Sequence, residues 1–138
     1  MREAVLNRIK VEIKKAYYAH TRYKVDTVFG LMYHEKSITV QELSKYLRIS
    51  DYFIELDEKH YFIIFAHTQQ EGVFKAAENL LYNLDNYFND RSTYIALDTF
   101  DVTNSHTIVI NRLMEILKET KKNQLTRIED ENILNENI

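Results

Sequence analysis

The stretch Arg48-Ile49-Ser50-Asp51-Tyr52-Phe53-Ile54-Glu55-Leu56-Asp57-Glu58-Lys59-His60-Tyr61-Phe62-Ile63-Ile64-Phe65 places two apolar runs, Tyr52–Leu56 and Tyr61–Phe65, on either side of four polar residues, Asp57–His60. Runs rich in aromatic and β-branched residues around a short polar interruption predict a β-hairpin. Both flanks carry helix-start signals. Upstream, Thr39-Val40-Gln41-Glu42 reads as a capping box opening a short helix with Val40, Leu43, Tyr46 and Leu47 on its apolar side. Downstream, Thr68-Gln69-Gln70-Glu71 is a second capping box. It opens a long helix whose stripe is Val73, Phe74, Ala77, Leu80, Leu81, Leu84 and Phe88.

Further out, residues 3–22 repeat Val5, Leu6, Ile9, Ile13, Ala16, Tyr17 and His20 at helical spacing, and Val25–Tyr33 reads as a strand. Thr93–Phe100 reads as another strand. Ser105 is placed to cap a last helix carrying Val109, Leu113, Ile116 and Leu117. Three units follow: an N-terminal amphipathic helix over 1–22, a core over 23–120, and a polar, asparagine-containing tail over 121–138 that is expected to be frayed. After the first helix the order is strand, helix, strand, strand, helix, strand, helix. This is the split βαβ order, and it predicts an α+β, ferredoxin-like antiparallel sheet with helices packed on one face.

Composition bounds the chemistry. The 138 residues are 45% apolar and 12% aromatic, enough for one packed domain. A net charge of −3, with Lys and Arg spread along the chain, argues against nucleic acid. There is no cysteine, hence no disulfide, thiolate site or thiol nucleophile. The longest apolar runs, Val28–Tyr33 and Tyr61–Ala66, are too short to span a bilayer, and no leader segment is evident, so a cytoplasmic protein without membrane insertion is expected. There are two glycines and no glycine-rich loop to cradle a phosphate.

The pattern over residues 20–120, and the motifs within 43–65, resemble the GGDEF (diguanylate cyclase) domain. In that family the signature pentad sits at the turn of a central hairpin, often after an Arg-x-x-Asp motif. Here Arg48-Ile49-Ser50-Asp51 is followed by five residues and then by Asp57-Glu58-Lys59-His60-Tyr61, with the family's spacing. The resemblance implies a bacterial signalling module and, at Arg48 and Asp51, a site for cyclic di-GMP. The family's pocket also borrows a basic residue from the helix after the hairpin, for which Lys75 is the available residue.

The departures imply loss of catalysis. Side chains at Asp57 and Glu58 replace the glycines that let the backbone approach nucleotide, and their charge repels a triphosphate. Lys59 and His60 replace the acidic pair, and a lysine offers magnesium no oxygen. The first strand ends Met32-Tyr33-His34-Glu35-Lys36 without the family's metal-binding Asp, and Glu35 is a lone carboxylate. One helix between the first strand and Thr39 is missing. No catalytic residue, metal or cofactor is therefore expected. The expected role is a non-catalytic signalling or scaffolding module that binds a protein partner, or a second copy through the first helix, and possesses at Arg48, Asp51 and Lys75 the residues for cyclic di-GMP.

Two other classes carry weight. A nucleotide-processing enzyme on the same fold would need other residues. A winged helix over Ile38–Tyr52, with Leu56–Phe62 as wing, would need a second helix long enough for a major groove. His34, His60 and His67 invite a metal reading but lack helical i,i+4 spacing and read as packed or exposed side chains. Tyr17, Tyr18, Tyr23 and Tyr33 cluster near the first helix and strand and are candidates for an interface.

Overall fold

The computed structural model describes residues 2–66, 70–99 and 105–136. Helix α1 spans Glu3–Tyr23, strand β1 Thr27–Tyr33, helix α2 Val40–Ser44, strands β2 Asp51–Glu55 and β3 His60–Ala66, helix α3 Gln70–Phe88, strand β4 Tyr94–Thr99, helix α4 His106–Thr120, strand β5 Ile128–Glu129 and helix α5 Ile133–Glu136. The expected elements are present near their expected bounds. Thr39 caps α2 by accepting from the Glu42 amide at 3.2 Å, and Ser105 caps α4 by accepting from the Ile108 amide at 3.3 Å. Thr68 of the second capping box lies outside the described residues.

The five strands form one sheet in the order β2-β3-β1-β4-β5, with β1 antiparallel to both β3 and β4. The first four strands reproduce the ferredoxin-like order. The sheet differs from expectation in being covered on both faces. Phe29, Leu31, Ile54, Phe62, Ile64 and Ala96 pack under α1 and α4. Val28, Met32, Ile63, Phe65, Ile95 and Leu97 pack under α3 and Leu43 of α2. The cause lies in β1 and β3, whose unbroken apolar runs put a large side chain on each face, as doubly covered strands require.

Helix α1 is not a separate unit. Val5, Ile9, Ile13 and Ala16 are buried against the sheet, each large one worth roughly 1.5–3 kcal/mol over exposure. The seam considered for self-association is therefore spent within the domain, while Val11, Tyr17, Tyr18 and Tyr23 stay exposed. The helix ends at Lys24, whose left-handed backbone (φ 56°) lets its own amide donate to the His20 carbonyl and the Val25 amide to the Ala19 carbonyl.

Residues 121–136 also depart from the frayed tail expected of them. Strand β5 pairs parallel to β4, Ile95 with Ile128 and Ala96 with Glu129. Arg127, Ile128 and Asp130 are buried. The Arg127 guanidinium reaches Asp85 of α3 through Nη1 at 2.9 Å and Nη2 at 2.6 Å, which fastens the polar segment to the core. Arg127 itself sits at φ 57°, a conformation that costs a bulky residue roughly 1–2 kcal/mol and persists because the ion pair holds it. No helix among the described residues is long and apolar enough to cross a membrane.

Candidate functional site

The β2–β3 hairpin carries the residues singled out at its turn and at the start of β2. The turn closes on the Asp57 side chain. Its Oδ1 accepts from the Lys59 amide at 2.8 Å and the His60 amide at 2.9 Å, and the His60 ring Nδ1 lies 2.9 Å from the same oxygen. An aspartate that bonds backbone amides two and three residues on is a turn former. Burial raises the Asp57 carboxyl, but the Lys59 amide and the His60 ring and amide outweigh it and leave it below the ordinary carboxylate range. The Leu56 amide bonds the His60 carbonyl at 2.9 Å, and the His34 amide bonds the Lys59 carbonyl at 3.0 Å, so the turn is also anchored to the end of β1.

Tyr61, last residue of the pentad, is a core residue. It is fully buried, its hydroxyl donates to the Ile38 carbonyl at 2.9 Å, and the Ile38 amide approaches that oxygen at 3.4 Å. Burial, chiefly, pushes the phenol up. Lys59 and Glu58 stay at the tip. Beside them stands a residue that sequence reading missed. Lys121, at the C-terminus of α4, sets its Nζ 3.6 Å from the centre of the Tyr33 ring. Burial lowers the Lys121 amine, Asp57 raises it and Lys59 lowers it. Its only sequence signal is that it continues the four-residue spacing of Leu113 and Leu117. Between this corner, α4 and the N-terminus of α1 lies a cavity of about 1150 Å³, with Leu31, Leu56 and Leu117 at its base and Glu58, Lys118 and Lys121 among its charged residues.

At the other end of the hairpin, Arg48 and Asp51 engage each other. Asp51 accepts from the Arg48 amide at 2.9 Å, from Nε at 3.1 Å and from Nη2 at 2.8 Å, and its side chain is fully buried. The guanidinium is 41% exposed, so its outer edge faces solvent while its inner edge is fixed by a charge-assisted fork. Ile49, between them, is fully exposed. Lys75 lies exposed on α3, and among the described residues no hydrogen bond or ion pair joins it to Arg48 or Asp51. The structure thus brings Arg48 and Asp51 together, with Lys75 not bonded to either.

The first strand ends in a buried polar cluster. His34 is fully buried and stacks on Phe88 with ring centres 3.7 Å apart. Its Nδ1 lies 2.9 Å from both the amide and the carbonyl of Lys36, and its Nε2 lies 3.1 Å from Asp90 Oδ1 and 3.0 Å from Ser92 Oγ. Burial raises the Asp90 carboxyl, and His34, Ser92 and Lys36 bring it below its ordinary range. Serine, histidine and aspartate meet here, but Asp90 and Ser92 share one ring nitrogen instead of standing on opposite ones, and the Ser92 hydroxyl lies 3.2 Å from Asp90 Oδ1, so the set lacks the geometry of a nucleophilic triad. It joins the end of β1 to the α3–β4 connection. His67 lies outside the described residues, and among those described no group of three or more His, Cys, Asp or Glu is arranged to hold a metal ion.

No protein-family profile matches the sequence, and no curated protein matches it. Solved structures do. The GGDEF domain of DgcB from Caulobacter crescentus, in complex with c-di-GMP, aligns with a TM-score of 0.72 at 8% identity over 91% of this chain and 90% of that one. Diguanylate cyclase SiaD from Pseudomonas aeruginosa, in complex with its activator SiaC, aligns with a TM-score of 0.68 at 9% identity over 84% of this chain. The match spans 54% of the SiaD chain, about half its length. The chain has the fold of a GGDEF domain.

Proposed function

We propose that this chain is a non-catalytic signalling module on the GGDEF fold, acting by binding a protein partner and taking cyclic di-GMP at Arg48 and Asp51. The observation that carries the loss of catalysis is the turn at Asp57–His60. In the enzymes it resembles, two glycines at this point leave room for nucleotide, and acidic side chains follow. Here Asp57 occupies the first of those places and its carboxylate is committed to the Lys59 and His60 amides. Lys59 and His60 fill the acidic places. At the end of β1, the buried His34 bonds Asp90, where a metal-binding carboxylate would be expected. Lys59 in an acidic place offers a divalent cation no oxygen ligand.

The ligand half of the reading rests on Arg48. Asp51 fixes one edge of its guanidinium, and a fixed, half-exposed planar cation suits a phosphate or the edge of a guanine. The experiment is calorimetric titration of the chain with cyclic di-GMP beside an Arg48→Ala variant and a Lys75→Ala variant. Saturable binding by the unaltered chain, lost in Arg48→Ala, supports the ligand. Weakening in Lys75→Ala adds that residue to the site. No heat and no thermal shift with the unaltered chain removes cyclic di-GMP, and partner capture then tests the protein-binding half.

A further inference from the structure

Strand β2 is the outer strand of the sheet, bonded to β3 along one side. In an antiparallel ladder, residues alternate between those bonded to the neighbour and those whose backbone groups point away. The Leu56 amide bonds the His60 carbonyl, and the register pairs Ile54 with Phe62 and Tyr52 with Ile64. Leu56, Ile54 and Tyr52 therefore face β3. Phe53 and Glu55 turn their amides and carbonyls outward, as does the Asp51 carbonyl. The Asp51 amide is taken by the Arg48 carbonyl at 3.0 Å. Among the described residues, no partner meets the outward groups of Phe53 and Glu55.

Folded proteins blunt such an edge with lysine, proline, a bulge or a covering element. The sequence Asp51-Tyr52-Phe53-Ile54-Glu55 has neither lysine nor proline, and its register against β3 runs unbroken. The opposite edge, β5, is protected by being two residues long. Along β2 runs an open cleft of about 350 Å³ lined by Arg8, Val40, Asp51, Tyr52, Phe53 and Glu55.

We propose that β2 pairs with β2 of a second copy of this chain, antiparallel, about a two-fold axis at Phe53. The edge is self-complementary in that register. Each Phe53 amide donates to the Phe53 carbonyl of the other copy, and each Glu55 amide to the Asp51 carbonyl. The busy Asp51 amide is not needed. On the face of α2, the Phe53 rings stand across from each other beside Val40, which is 52% exposed alone. On the face of α1, Tyr52 stands across from Ile54, an aromatic and β-branched pair. The register also sets Glu55 across from Asp51, which would oppose pairing if both carboxylates were bare. Asp51 is not bare. Arg48 Nε and Nη2 neutralise it, and Arg48 Nη1, without a partner among the described residues, supplies the donor for Glu55 of the second copy. This dimer does not use the buried seam of α1, and it would place Arg48 at a subunit boundary.

The test is sedimentation equilibrium of the full chain over a wide concentration range, beside Glu55→Pro. Proline there removes an outward amide and no bond to β3, a substitution that edge strands tolerate. The proposal expects a reversible dimer for the unaltered chain and a folded monomer, with at least a tenfold weaker association, for Glu55→Pro. Should that variant not fold, hydrogen exchange on the unaltered chain decides: the Phe53 and Glu55 amides become protected as concentration rises. A chain that stays monomeric at the highest concentration, or a dimer in which those amides exchange freely, overturns the proposal. Protection that arises only when a different protein is added also overturns it, because the edge would then receive a foreign strand.

Discussion

Asp57 and His60 lock the hairpin turn on one carboxylate, which accepts from the His60 amide at 2.9 Å and lies 2.9 Å from the His60 ring nitrogen. The same oxygen takes the Lys59 amide, so one side chain does what a glycine-rich turn does through backbone freedom alone.

Asp57→Ala is expected to cost about 1 kcal/mol, the usual loss when a side chain that satisfies backbone amides is removed. The carboxylate is 61% exposed, so solvent screens its charge and the amide bonds account for most of the loss. Its pKa is lowered in the folded chain. The stability it contributes is therefore complete above the ordinary carboxylate range and is lost as pH falls through the depressed folded value. Urea midpoints of the unaltered chain and the variant should differ at neutral pH and converge in acid.

Tyr61→Phe is expected to cost about 1–2 kcal/mol. The ring volume is kept, and the Ile38 carbonyl, buried with the phenol that donates to it at 2.9 Å, is left without that donor. Equilibrium denaturation measures the loss. The final aromatic of the pentad thus serves the core, and its variant should not alter any ligand affinity at Arg48.

Removing Arg127 strands a charge. Its guanidinium is 3% exposed and Asp85 is 19% exposed, and breaking such a pair from one side costs about 3–5 kcal/mol. Arg127→Met should reach that range and open to hydrogen exchange the Ile95 amide, which bonds the Arg127 carbonyl at 2.9 Å. Arg127→Met with Asp85→Leu should recover much of it, since no lone carboxylate remains.

Gly30→Ala tests a close approach in the centre of β1. A methyl group there would lie 3.0 Å from Phe65 Cε2 and 3.4 Å from the Ala96 carbonyl oxygen. Phe65 is fully buried and cannot swing into solvent, so overpacking of about 1–3 kcal/mol is expected. The thermal midpoint should fall, and a compensating Phe65→Leu should restore part of it.

Short-range signals made most of the fold legible. Thr39 and Ser105 announced their helices because a cap needs only residues three apart. The hairpin was readable because its turn residues and both strands are contiguous. The coverage of both sheet faces was also written in Val28–Tyr33 and Tyr61–Ala66, but the ferredoxin-like pattern suggested a single covered face. Strand β5 was not readable. It is two residues long, and its anchor spans from Asp85 to Arg127, a pairing that exists only after folding. The same holds for His34, whose partners Asp90 and Ser92 arrive from the far side of α3. At the site, the Arg48–Asp51 fork was local and readable, while Lys121 lay at the start of a segment read as tail.

The measurement that tests the central claim most directly is incubation of the purified chain with GTP and magnesium, with cyclic di-GMP quantified by chromatography against a buffer control. The account predicts no product above that control, because Asp57, Lys59 and His60 stand where room for nucleotide and acidic metal ligands would be required. Cyclic di-GMP that accumulates in proportion to the chain, and disappears when magnesium is chelated, would contradict it.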